Sequence, residues 1–137
     1  LKKKYPNTLK IVVTENIPVA TEINEKKKYY LTQKGKKISY IDIKIFKNLP
    51  VIFGNHKNFS SFFYKLKKSN FNINEIKAFY YFDIGRWDIT LKDNRTIKLP
   101  KINYEDILTE VNLVLNNSSF SKYKIFDYRI KDQLILQ

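Results

Sequence analysis

Few residues in this chain could carry chemistry. His56 is the sole histidine and cysteine is absent. Neither a histidine-ligated metal cluster, a thiolate site nor a cysteine nucleophile can therefore be assembled. A Ser-His-acid triad would have to run through His56, yet no serine stands in a G-x-S-x-G elbow. His56 belongs instead to a Gly54-Asn55-His56-Lys57 turn. Gly35, Gly54 and Gly85 are too widely spaced to cradle a phosphate. Two groups of carboxylates remain. Asp83 and Asp88 bracket a turn beside Arg86 and suit local ion pairing. Glu105, Asp106 and Glu110 suit the first turns of a helix, whose positive end favours anions. A catalytic carboxylate needs surroundings that shift its pKa, and no motif marks such a place. These residues argue against an enzyme and call for no cofactor.

Charge raises a second possibility. The chain carries 26 Lys and Arg against 13 Asp and Glu, a formal net charge of +13. Such a balance suits nucleic acid or an anionic membrane. The runs are Lys2-Lys3-Lys4, Lys26-Lys27-Lys28, Lys34-Lys36-Lys37 and Lys65-Lys67-Lys68, and the interleaved Tyr29, Tyr30 and Tyr40 could stack bases. Against this, 23 of the basic residues are Lys and only three are Arg. Arginine carries most specific phosphate and base contacts, because its planar fork binds two acceptors at once. The lysines are also spread over several elements, and no RNP-like aromatic-glycine motif is present. The excess reads first as a compositional accent. A basic nucleic-acid-binding α+β domain is the alternative, and the same charge would suit anionic lipid headgroups.

The elements that must position these residues are legible in outline. The 137 residues (16.4 kDa) amount to about one domain, and 43% hydrophobic with 15% aromatic residues is ample for a core. No apolar stretch approaches the ~20 residues of a membrane span. A chain that starts at Leu1 and contains no Met is expected to be part of a longer one. Leu9–Thr14 is β-branched and predicts a strand, with Pro18 disfavouring helix just after it. Tyr29–Thr32 and Lys37–Tyr40 predict a hairpin turned at Gly35. Asp42–Phe46 alternates, placing Ile41, Ile43 and Ile45 on one face of a further strand. Leu49–Gly54 is a short apolar run expected to seal one edge of the core. Phe59, Phe62, Phe63 and Leu66 recur at helical spacing. Lys77–Phe82 and Trp87–Leu91 predict strands, and Thr96–Leu99 returns as a partner, with Trp87, Ile89 and Leu91 on the buried face. Asn103–Asn116 predicts a helix capped by Asn103. Tyr123–Ile130 and Gln133–Leu136 predict two final strands joined by Lys131-Asp132. The expected fold is α+β, an antiparallel or mixed sheet with two main helices. Its long last strand would leave a free edge to which a partner strand could pair.

Several motifs resemble the bacterial cell-division FtsQ family, called DivIB in Gram-positive bacteria. Tyr5-Pro6-Asn7-Thr8-Leu9-Lys10-Ile11-Val12-Val13-Thr14-Glu15-Asn16-Ile17-Pro18-Val19-Ala20 is similar to its W-P-[DN]-T-L-x-I-x-V-x-E-x-x-P-V-A signature. The Leu31–Gly35 turn, the Leu49–Gly54 run, Gly85–Asn94 and Phe126-Asp127-Tyr128-Arg129-Ile130 follow in family order. The resemblance implies that residues 1–20 end a POTRA domain and that residues 21–137 form the FtsQ-type β domain. It further implies a monomeric, non-catalytic scaffold on the periplasmic side of the bacterial inner membrane, at the division septum. A single-pass anchor would precede Leu1. The implied partners are FtsB-like and FtsL-like proteins, an FtsB strand adding to the last β-strand. By position, the implied contact residues are Asp127, Tyr128, Arg129, Ile130, Lys131, Asp132 and Gln133. Arg129 matches the family arginine and could pair with a partner carboxylate.

Overall fold

The computed structural model describes residues 17–137. The strand expected at Leu9–Thr14 lies outside the described residues. Within them the chain forms β1 (Pro18–Asn24), β2 (Lys27–Thr32), β3 (Lys37–Ser39), β4 (Val51–Phe53), β5 (Ile76–Phe82), β6 (Arg86–Leu91), β7 (Thr96–Lys98), β8 (Ile125–Asp127) and β9 (Ile135–Leu136). Two helices accompany them, α1 (Phe59–Lys68) and α2 (Glu105–Leu115). The strands make one mixed sheet in the order β3-β2-β1-β4-β5-β6-β7-β8-β9, so the fold is α+β as expected.

The arrangement of the layers follows from the connections. β4 and β5 pair in parallel and are joined through α1; β7 and β8 pair in parallel and are joined through α2. Parallel crossovers are right-handed, and both step the same way across the sheet, so both helices come down on one face. There they meet each other. The Phe62 and Tyr104 rings lie 5.5 Å apart, Lys65 Nζ is 3.0 Å from Glu105 Oε1, and Asn112 Nδ2 donates to the Ser69 carbonyl at 3.2 Å. Among the described residues the other face of the sheet carries no α-helix.

The core fills the space between this helix layer and the sheet. Phe59, Phe62, Phe63 and Leu66 of α1 are all buried, as their spacing predicts. Phe62 stacks on Trp87 at 4.7 Å and 14°, while Phe59 meets Phe79 edge-on at 5.5 Å. α2 adds Leu108 and Val111. Trp87, Ile89 and Leu91 share the buried face of β6, with Ile89 opposite Ile97 of β7.

Pro18, which disfavours helix, stands as the first residue of β1, a place where proline is tolerated. Three local expectations are corrected. The run around Val51–Phe53 does not seal an edge but supplies β4 in the sheet interior, between parallel β1 and β5. Gly54 ends that strand at φ +96°, where a Cβ would lie 2.4 Å from the Tyr81 carbonyl oxygen. Asn103 does not cap α2: it takes a left-handed conformation (φ 59°), and Tyr104 holds the N-cap position. Asp42–Phe46 is not a strand. Lys44–Phe46 forms a 3₁₀ turn, and Ile41, Ile43 and Ile45 are 59%, 40% and 79% exposed. Local contacts win over alternation here, for Tyr30 packs on Tyr40 and Phe46 at 5.1 and 5.4 Å and its hydroxyl donates to the Ile41 carbonyl.

Truncating Phe62 tests the core directly. Phe62→Ala removes the ring under Trp87 and beside Tyr104, and large-to-small changes at such sites cost roughly 3–5 kcal/mol. Urea unfolding followed by Trp87 fluorescence is expected to show a midpoint lowered accordingly, with Phe62→Leu in between. Equal midpoints for Phe62→Ala and the parent would mean that this stack does not hold the layers.

Candidate partner-binding edge

Among the described residues β9 is a free edge of the sheet, next to β8. Ile125 and Gln137 exchange two backbone bonds, Ile125 N to Gln137 O at 3.0 Å and Gln137 N to Ile125 O at 3.1 Å. Residues alternate between bonded and non-bonded pairs along an antiparallel ladder. Leu136, opposite Phe126, therefore turns its N–H and C=O outward. An unpaired donor and acceptor at a sheet edge are what an added strand needs.

The long strand expected over Tyr123–Ile130 is only Ile125–Asp127, and the expected Gln133–Leu136 strand is only Ile135–Leu136. The cause is Asp127. Its carboxylate accepts from the Arg129 backbone N–H at 3.0 Å and from Arg129 Nε and Nη2 at 2.9 and 2.7 Å. An Asp bonding the backbone two residues on turns the chain instead of continuing a ladder. Tyr128 still donates its N–H to the Lys98 carbonyl at 2.9 Å, and the chain then leaves the sheet. The return is tight, with Asp132 left-handed at φ 60° and Gln133 N–H donating to Ile130 O at 3.1 Å.

Of the seven expected contact residues, only Asp127 thus lies in a strand. Tyr128, Arg129, Ile130, Lys131, Asp132 and Gln133 form the loop between β8 and β9, and they line a groove of about 780 Å³. Its opposite wall is the Pro100–Asn103 turn and the first turns of α2, including Asp106, Ile107 and Glu110. Ile102 and Ile130 stand exposed at this groove. Tyr128 is 4% exposed, and among the described residues its buried hydroxyl has no hydrogen-bond partner. Burial, helped by the Glu110 charge, pushes its pKa well above the ordinary tyrosine value. It stays a neutral phenol with a donor to offer, and a buried unpaired donor is costly to leave so.

A charged row crosses the bare face of the sheet at the same end. The register sets Tyr80 opposite Asp88, Asp88 opposite Lys98, Lys98 opposite Asp127 and Asp127 opposite Ile135. Arg86 pairs with Asp88 and Arg129 with Asp127. Two of the chain's three arginines are therefore gathered here. Arg86 is the site residue that position alone undervalued; the strand alternation beside Trp87 places it on the same face as Arg129.

The remaining candidates take local roles. Asp88 holds Arg86 as expected, whereas among the described residues Asp83 makes no ion pair. His56 Nδ1 lies 2.9 Å from the buried Glu22, which Lys37 also approaches at 3.7 Å. The tyrosines of the basic runs do not form an open platform. Tyr30 is buried, and Lys37 and Lys28 sit over the Tyr29 and Tyr40 rings at 4.6 and 5.4 Å.

The model of the C-terminal domain of the cell division protein FtsQ/DivIB matches residues 20–129, from within β1 through Arg129. The chain belongs to the FtsQ/DivIB family. Among curated proteins it is similar to the cell division protein FtsQ of Rickettsia typhi, 30% identical over 141 residues, covering the whole chain and 53% of that relative. The Rickettsia prowazekii and Rickettsia conorii proteins of the same name are 28% and 27% identical over 145 residues, at 52% of their lengths. The chain spans about half the length of the curated relatives it matches. Its FtsQ/DivIB match takes in both crossovers and the whole charged row, while the Ile130–Gln133 tip and β9 lie past its end. The Gly85–Asn94 motif is β6 with the turns at its two ends, and the Phe126–Ile130 motif is β8 with the start of the loop.

The two buried aspartates of this FtsQ/DivIB domain should respond oppositely to pH. The Arg129 side chain holds the Asp127 carboxyl below the usual carboxylate range, whereas burial raises that of Asp88 despite Arg86. A lowered folded pKa adds stability that is present above the unfolded value and lost as pH falls through the folded one. A raised one does the reverse, its contribution being lost as pH rises through the folded value. Asp127→Asn is expected to cost about 1 kcal/mol at pH 7, a low figure because solvent screens the half-exposed Arg129. That cost should shrink as pH falls through the lowered Asp127 pKa. Asp88→Asn should cost less at pH 7. Urea titrations from neutral pH into acid check this, and an Asp127→Asn cost that persists in acid would refute the pairing.

Proposed function

We propose that this domain is a non-enzymatic division scaffold that binds FtsB-like and FtsL-like partners by strand addition at its C-terminal edge. In this reading residues 1–20 end a POTRA domain, and residues 21–137 are the β domain of a single-pass inner-membrane protein. The domain stands on the periplasmic side at the septum as a monomer. It holds no cofactor and carries out no reaction.

The observation that supports the reading best is the outward N–H and C=O of Leu136 beside the groove. Main-chain pairing along β9 would supply affinity, and alternate side chains of the added strand would supply specificity. The groove offers apolar contact at Ile102 and Ile130. Arg129 is half exposed although bound to Asp127, so its outer N–H groups are open to a partner carboxylate. Asp127, Lys131, Asp132 and Gln133 complete the contact surface. The cell-division family agrees with this role.

The register also names the informative substitution. Leu136→Pro removes an N–H that makes no bond within the sheet, and proline is tolerated on edge strands. Circular dichroism should therefore match the parent. Calorimetry with a peptide from the periplasmic part of the FtsB-like partner is expected to show saturable binding to the parent, weakened tenfold or more by Leu136→Pro. Arg129→Ala should weaken it separately. Undetectable parent binding well above micromolar concentration would reject the partner, and full binding by Leu136→Pro would reject strand addition.

A further inference from the structure

At the opposite edge of the sheet the surface has another chemistry. β3 ends at Ser39, and the chain then runs through Tyr40–Lys47 without joining any strand. Aromatic contacts hold this segment in place from beneath. The Tyr30 ring packs on Tyr40 and Phe46 at 5.1 and 5.4 Å, and its hydroxyl bonds the Ile41 carbonyl. The result of that anchoring is that Ile41, Ile43 and Ile45 face water in a structure whose other long aliphatic runs are largely covered. Lysines flank them in the chain. Lys26, Lys27, Lys28, Lys36, Lys44 and Lys47 are all exposed, and between Asn24 and Asn48 only Glu25 and Asp42 are acidic. Lys34 lies instead against α1, and Lys37 pairs with Glu22. Lys28 and Lys47 border the same depression as Tyr40 and Phe46.

We propose that this edge seats the domain on an anionic lipid bilayer. Aliphatic tips beside long flexible cations suit an interface where isoleucines enter the acyl boundary and ammonium groups remain among headgroup phosphates. Charge decides between occupants. Protein interfaces exclude lysine from their centres, so a second protein is a poor match for these lysines. Nucleic acid would call on the aromatic faces, and lysines already cover those of Tyr29 and Tyr40. The proposal concerns the edge remote from β9 and stands or falls apart from the partner reading.

The test is flotation of the 137-residue chain with vesicles of 30% phosphatidylglycerol in phosphatidylcholine, against vesicles of phosphatidylcholine alone. The parent is expected to float with the anionic vesicles only, and less so as salt rises. Ile41→Ser/Ile45→Ser should lower the bound fraction at least fivefold while leaving the circular dichroism spectrum unchanged, since both side chains are exposed. Lys44→Glu/Lys47→Glu should abolish binding. Lys122→Glu/Lys124→Glu, an equal charge change ahead of β8, should leave most of it. Binding that survives the isoleucine change, or that falls equally with both lysine pairs, would overturn the proposal in favour of diffuse charge. Absence of flotation by the parent would overturn it outright. So would preferential binding of a single-stranded oligonucleotide that Lys44→Glu/Lys47→Glu removes.

Discussion

The stack of Phe62 on Trp87 is the contact on which the other features rest. It joins the middle of α1 to β6, and Tyr104 at the start of α2 packs against the same Phe62 ring. One aromatic side chain therefore ties both crossovers to the sheet. Since both crossovers are right-handed and step the same way, burying this ring buries the helices on one face only. Among the described residues the other face carries only the Tyr40–Lys47 segment, packed over β1 and β2, and β3 and β9 are the sheet's edges. The two α-helices of the described residues are too little to cover more of nine strands, so the surface left for other molecules is strand edges and sheet face.

On the bare face, burial and charge are balanced by neighbours across the strands. Asp88 and Asp127 are nearly covered, and both flank Lys98 in register. Their environments diverge because Arg129 grips Asp127 through two side-chain nitrogens and its own backbone N–H. At Asp88 the loss of solvent outweighs the single Arg86 contact. The bonds that stabilise the Asp127 carboxylate are also those that stop β8 and send the chain around the groove. Electrostatics thus shapes the backbone at this end, and the edge exists because an aspartate competes successfully with the ladder.

What was legible in the sequence follows from how local each cause is. The α1 stripe and the β6–β7 hairpin were readable because their periodicities agree with the faces they bury. The family motifs located the C-terminal segment, yet strand lengths there were overread. β-branched and aromatic runs such as Tyr123–Ile130 favour strand, and only the side-chain bonds of Asp127 end it. Ile41, Ile43 and Ile45 show the converse. Their alternation is sound, but a strand needs a neighbour, and the Tyr30 contacts close the segment down before one is reached. β4 was misplaced at an edge because a three-residue apolar run cannot say which strands will flank it. Arg86 entered the site through register alone, which no single-strand pattern reveals.

The two edges differ in what they leave unsatisfied. At β9 the open groups are backbone ones, the N–H and C=O of Leu136, beside a buried phenol without a partner among the described residues. Backbone groups are directional, so whatever satisfies them must arrive as a strand in register. Beyond β3 the unsatisfied groups are aliphatic side chains and ammonium ions, which have no directional demand. They suit a surface that is itself fluid. The two chemistries lie toward opposite ends of one hydrogen-bonded sheet. A sheet of this kind works as a spacer: one edge can take a specific partner while the other rests against something nonspecific. Neither contact then has to compete with the main core, because that core lies on the helical face.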